Sequence, residues 1–344
     1  MSKFVFRSKT GFVSFQIHKR TNITIAALFL VTLLLFLLSL SVGSSWISPF
    51  KVMQQLVGST DEYDFVINTL RLPRVILSFL VGAALGVSGL ILQGIVRNPL
   101  ASPDIIGITG GASVGAILFI VLFAGQVSIT LLPIAAIVGA AIVSIIVYLL
   151  SWKNGVTPIR LILIGIGIAA AMSALTTMMI VLSDITTAGK AYLWLTGSIY
   201  GANWSSIYGM LPWVVVLVPV VIFFARTMNA KELGDDVAKG LGVNVQLNRF
   251  VLLFISVALA GAAVAFAGGI GFVGLIAPHI ARKLIGLSFA ALVPTAAFIG
   301  GIIVMVADVV GRTVFLPSDI PAGVFTAGIG APFFIYLLFK NRNL

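Results

Sequence analysis

Residues 23–42 read ITIAALFLVTLLLFLLSLSV, 20 residues without one charge. At about 1.5 Å per residue, a helix of that length crosses the roughly 30 Å of hydrocarbon in a bilayer. The stretch is longer than the apolar region of a cleaved leader, and no small-x-small site followed by a soluble domain comes after it. It is therefore read as a first membrane span. Further apolar runs near 74–95, 104–124, 129–150, 158–182, 206–226, 248–268, 270–287, 292–311 and 321–339 bring the predicted count to ten. The seventh and eighth are parted only by a turn containing Gly268, Gly269 and Gly271.

Composition supports the same class. Hydrophobic residues make up 60% of the 344-residue chain and charged residues only 9%, against about 25% charged in a soluble domain. Cysteine is absent, which removes disulfides and thiolate metal sites, and His18 and His279 cannot form a metal cage alone. The expected product is an all-α polytopic membrane protein with a tail over 1–22, one transmembrane domain over 23–340 and a short tail over 341–344.

The net charge of +11 is a topology signal. An even span count puts both ends on one side. That side collects Lys3, Arg7, Lys9, Lys19 and Arg20, then Arg97, Lys153, Arg160, Arg226, Lys231, Lys239, Arg249, Arg282, Lys283, Lys340 and Arg342, which is 16 of the 21 basic residues. Basic loops stay in the cytoplasm, so both termini are expected there. Nucleic-acid binding is not expected.

Residues 82–107 align without gaps on residues 261–286, with eight identities that include Gly82/Gly261, Gly89/Gly268 and Pro99/Pro278. Copies five spans apart would run in opposite directions, an inverted repeat of the kind transporters use. Shared membrane composition is the plainer explanation. Around Asn98-Pro99, Ser102 is a candidate N-cap with Pro103 and Asp104 in the first turn, and Pro278 is expected to interrupt its own span. Gly82/Gly86 and Gly107/Gly111/Gly115 set small residues at four-residue spacing, which suits close helix packing. Gly110–Gly115 superficially resembles a phosphate loop but lacks the Lys-Ser/Thr ending and lies inside a span. No segment binds nucleotide by this criterion, and no paired carboxylates or nucleophile–base set points to an enzyme.

The long polar loop 228–247 reads MNAKELGDDVAKGLGVNVQL. Asp235 can cap a short helix and Gly242 can end it, with Leu233, Val237 and Leu241 recurring every four residues. Two isolated turns are not stable in water and need a surface. That surface is either the membrane face of the protein itself or a groove on another subunit.

The core Glu232-Leu233-Gly234-Asp235-Asp236-Val237-Ala238-Lys239-Gly240-Leu241-Gly242 resembles the coupling loop of the FecCD-type ABC permeases. The likeness extends through Trp46-Ile47-Ser48-Pro49, Arg71-Leu72-Pro73-Arg74, Asn98-Pro99-Leu100-Ala101, Gly271–His279, Ala307-Asp308 and Gly330-Ala331-Pro332-Phe333, in family order. The resemblance implies a vitamin B12 permease-like fold in the inner or plasma membrane. It also implies a second permease subunit, identical or related, two copies of an ABC ATPase and an extracytoplasmic substrate-binding protein. Coupling would fall on Glu232, Leu233, Gly234, Asp235, Asp236, Ala238, Leu241 and Gly242. Arg71, Arg74 and Arg312 would face carboxylates of the binding protein, unless Arg71 and Arg74 anchor a span or Arg312 pairs with Asp308. No cofactor and no metal of its own are implied; iron would travel inside its chelate. An iron(III)-siderophore is the expected cargo, with vitamin B12 or haem as alternatives. An ion-gradient-driven secondary transporter is a more distant one. Thr157-Pro158-Ile159-Arg160 departs from the family's gate pattern, and Tyr192, Trp194, Tyr200 and Trp204 read as an interfacial belt rather than a ligand box.

Overall fold

The computed structural model describes residues 3–7, 14–123 and 126–340. Lys9, Arg342 and the 341–344 tail lie outside them. Strands β1 (Lys3–Arg7) and β2 (Ser14–His18) pair antiparallel, so the predicted 1–22 tail carries a hairpin that the sequence reading did not foresee.

From there on the regular structure is helical: α1 (Lys19–Ser41), α2 (Pro49–Leu56), α3 (Leu72–Val96), α4 (Ile108–Phe123), α5 (Leu132–Leu150), α6 (Pro158–Val181) and α7 (Ile185–Leu195). After these come α8 (Trp204–Phe223), α9 (Ala225–Glu232), α10 (Asp235–Gly240), α11 (Val245–Ala267), α12 (Val273–Ile285), α13 (Phe289–Thr313) and α14 (Ala322–Lys340). Lipid offers no hydrogen bonds, so an apolar run must satisfy its own backbone, and a helix does that within one segment. Eight helices among the described residues are long and apolar enough to cross a bilayer. The other two predicted spans are short: α4 has 16 residues and α12 has 13.

The shortness of α12 follows from the turn before it. Gly268 at φ 69° and Phe272 at φ 66° break the chain, and the turn lies against the end of α7, where a Cβ on Gly268 would stand 2.1 Å from the Trp194 carbonyl oxygen. Irregular backbone is tolerated at depth where protein surrounds it. Pro278 does not interrupt α12; it sits inside the helix.

Helix α3 is almost wholly enclosed, whereas α6 and α8 leave most of their surface uncovered by the chain. Glycine permits the enclosure. A Cβ on Gly82 would fall 2.1 Å from the Gly300 oxygen of α13, and one on Gly89 would fall 1.8 Å from the Gly274 oxygen of α12. The predicted ladder on α4 behaves likewise at Gly111 and Gly115, which meet α5 at Gly139 and Ala135. Gly107 instead lies outside α4, closing the short 3₁₀ turn Pro103–Ile106 at φ 78°. Ser102 makes no side-chain cap there, and the Asp104 carboxylate accepts from the Thr109 hydroxyl at 2.5 Å.

Helices α3 and α11 lie side by side and antiparallel, joined by the Ser88 and Ser256 hydroxyls 2.8 Å apart. The two aligned stretches share secondary structure only in part. Residues 82–88 and 261–267 are both helical, but 89–93 are helical where 268–272 form a turn, and 97–102 are irregular where 276–281 are helical. Among the shared glycines, Gly82 and Gly89 serve close packing, whereas Gly107 and Gly286 both take positive φ.

Candidate functional site

The loop between α8 and α11 folds into the two short helices α9 and α10. Gly234, at φ 116°, turns the chain between them. Asp235 does not cap its own helix, as the sequence suggested; it opens α10, with Gly234 at the cap position and no side-chain cap bond. Asp235 and Asp236 still complement the positive end of the helix. Gly242 ends α10 as expected. Its N–H donates to the Lys239 carbonyl at 2.9 Å, the Val243 N–H donates to that of Ala238 at 3.0 Å, and Gly242 takes φ 82°. This is the Schellman closure that glycine makes easy.

The periodicity of Leu233, Val237 and Leu241 does not make one helix face, because Leu233 ends α9 before the Gly234 turn and only Val237 and Leu241 belong to α10 and its C-cap. These three side chains are 68%, 48% and 65% exposed, and Ala238 is the buried contact that seats α10. Glu232 and Asp236 are exposed beside them.

Asp235 is held from two directions. Arg249, buried in the first turns of α11, donates to it at 2.8 Å, and Arg97, the left-handed C-cap of α3, donates at 3.1 Å. Burial works to raise the Asp235 carboxyl. The Arg249 hydrogen bond and the charges of Arg249, Arg97 and Lys231 outweigh it and hold the group below its usual range. Lys231 is buried nearby, and its Nζ has no hydrogen-bond partner among the described residues. Burial, reinforced by Arg249 and Arg97 and opposed by Asp235, pushes its pKa down to about 8. Burial also raises the Glu232 carboxyl.

Sequence reasoning counted Arg97, Lys231 and Arg249 only as topology signals. The contact between Arg97 and Asp235 joins residues 138 apart in the chain, and no periodicity reports it. The contact between Arg249 and Asp235 joins residues 14 apart and carries no sequence signal either.

The three arginines expected to face a binding protein have partners within the chain. Arg71 is buried and donates to the carbonyls of Leu40 at 2.7 Å, Ser41 at 3.0 Å and Ser45 at 2.7 Å, closing the C-terminal end of α1. Arg74 grips Asp319 with two donors at 2.6 and 2.9 Å and Asp308 with Nε at 2.9 Å. Arg312 donates to the Ser39 carbonyl and stands 3.6 Å from Asp308, four residues back. Placed where water is scarce, a guanidinium needs partners, and the chain supplies them itself. Arg312 thus stands beside Asp308, as its pairing alternative expected, while docking of the three to a binding protein remains an expectation.

Beside this cluster lies a cleft of about 1060 Å³ between α4, α5, α7, α8, the end of α11 and residues 317–321, lined by Phe119, Trp194, Tyr200 and Phe266 among others. Trp194 and Tyr200 of the aromatic segment thus face a cleft. Tyr192 is exposed, and the Trp204 indole donates to the Asn68 carbonyl at 3.0 Å.

Comparison with known proteins agrees with this architecture. Residues 31–340 match the FecCD transport family. The chain is 47% identical to the achromobactin transport system permease protein of Dickeya dadantii, over 97% of this chain and 96% of that protein. It is 46% identical to a probable siderophore transport system permease protein of Bacillus subtilis, over 95% and 97%. Among solved structures, an inward-facing ABC transporter of the metal-chelate type superposes with a TM-score of 0.82 at 31% identity, covering 93% of this chain and 99% of that one. With ten helices in the expected order and a family match across the membrane domain, the chain belongs to the FecCD transport family as a multi-pass membrane permease.

Proposed function

We propose that this permease is the membrane subunit of an ATP-driven importer that carries an iron(III)-siderophore delivered by an extracytoplasmic binding protein. In this reading both termini and the 228–247 loop are cytoplasmic. One permease and a second, identical or related, enclose the path between them, and each receives an ATPase subunit on its α10. ATP is hydrolysed in the ATPase, and this chain supplies the passage.

The observation that carries the proposal is the outward face of α10. A six-residue helix, closed at its end by glycine and seated by Ala238, presents Val237 and Leu241, with Leu233 exposed just before it at the end of α9 and acids beside them. Exposed aliphatic side chains in register on a helix fit a groove on a partner. The identities of the two curated relatives support the cargo class, because one is named for siderophore transport and the other for achromobactin transport.

Replacing residues 235–242 with a Gly/Ser linker is expected to abolish co-purification of the ATPase and ATP-dependent uptake, while the permease still inserts. Retained ATPase binding together with retained uptake would refute the proposal. Uptake of radiolabelled iron as hydroxamate, catecholate and citrate chelates, with vitamin B12 and haem alongside, identifies the cargo in cells with and without this chain. Uptake in vesicles that follows the proton gradient without ATP would favour a secondary transporter.

A further inference from the structure

The turn between α5 and α6 is tied in an unusual way. Trp152 and Val156 bridge across it, with Asn154 at φ 54° and Gly155 at φ 106°. Arg160 binds it from the α6 side, donating to the Lys153 and Gly155 carbonyls at 3.2 Å and to the Thr157 hydroxyl at 3.1 Å. From α11, Gln246 accepts the Val156 N–H at 3.1 Å. Gly155 is pressed so close to Gln246 that a Cβ would stand 2.6 Å from its Nε2. The Val156 carbonyl, in turn, accepts from one arm of Arg249.

The other arm of Arg249 holds Asp235 at 2.8 Å. One guanidinium, 1% exposed, therefore joins the first residue of α10 to the turn from which α6 starts at Pro158. The parallel link from Asp235 to Arg97 is wetter, the two side chains being 25% and 37% exposed, and water screens such pairs. The Arg249 fork is planar and dry, so its two partners cannot shift independently without losing a bond. Helix α6 leaves most of its surface uncovered by the chain.

We propose that Arg249 is a positioning residue for transport, carrying displacement of α10 to the α6 end of the membrane domain through its paired hydrogen bonds to Asp235 and Val156. The proposal rests on the reading that α10 receives an ATPase. It adds the route by which that push reaches α6, and it assigns Gln246 as the second hand on the same turn.

The test uses the whole transporter in proteoliposomes: this permease, its partner permease, the ATPase and the binding protein. The probe is whichever radiolabelled hydroxamate, catecholate or citrate chelate of iron(III) the wild type takes up fastest. R249K keeps the charge but loses the fork. It is expected to assemble with the ATPase and hydrolyse ATP within about twofold of wild type, while uptake per ATP hydrolysed falls about tenfold, a common size for coupling between sites. Q246L, which leaves the Arg249–Asp235 bond in place, is expected to show the same split to a smaller degree. A structural brace would behave differently, because uptake and hydrolysis would fall together with the amount assembled. That outcome in both variants, or unchanged uptake per ATP in both, overturns the relay. Absence of ATP-dependent uptake in the wild type would instead sink the importer reading, so the two failures are distinct.

Discussion

At the scale of single residues, Lys231 places an ammonium group where no acceptor reaches it. A buried cation is tolerated at a cost, in part by giving up its proton more readily. Its folded pKa of about 8 lies below the free value of 10.5, so between those pH values the unfolded chain binds more protons than the folded one. Stability on this account rises as pH climbs through that window and is flat below it. K231M should raise the melting temperature in detergent at pH 7, by an amount equivalent to about 1–3 kcal/mol. It should also flatten the rise that the wild type shows from pH 8 to 10. A K231M protein less stable than wild type at pH 7 would show that the ammonium has a partner. The arginines teach a related lesson. Arg71 and Arg74 lie where a span begins, a position that reads equally as docking site or anchor, and the sequence left both open. The partners of Arg74, Asp308 and Asp319, lie 234 and 245 residues away, and those of Arg71 are backbone carbonyls at the end of α1. Periodicity cannot see that far.

At the scale of elements, the small-residue spacing of Gly82 and Gly86 was legible and meant what it suggested, because close approach needs only the absence of a side chain. What the sequence could not tell was which helix fills the gap. That is α13 at Gly82, but α12 at Gly89. G82A should cost about 1–3 kcal/mol by overpacking against backbone that cannot yield. G167A, on α6 with nothing within 4 Å of the new methyl, should be neutral or slightly stabilising in the isolated chain. Thermal unfolding of the two proteins in the same detergent checks the contrast, and equal effects would mean that the α3–α13 contact is looser than described. The α10 helix shows the other limit. Its stop at Gly242 was readable from composition, whereas the task of Asp235 was not. A capping acid and a bridging acid look alike until the fold brings Arg97 and Arg249 beside one of them.

At the scale of the whole molecule, the ten-span reading succeeded because hydrocarbon imposes one rule on every segment, and length with polarity is enough to apply it. It could not distinguish α4 and α12, which are short and covered by neighbours, from full crossings. Sidedness rests on charge alone and can be checked directly, because the chain has no cysteine to confuse a thiol label. A membrane-impermeant maleimide should label S59C on intact cells and reach K239C only after the membrane is opened. The reverse pattern would turn the permease over and with it the position of α10. Finally, α3 and α13 meet backbone to backbone at Gly82 and Gly300, with no layer of side chains between them to act as a bearing. Surfaces that close cannot slide past one another, and rotation about either axis would drive carbonyls into the facing chain. The pair is built to travel as a single plank.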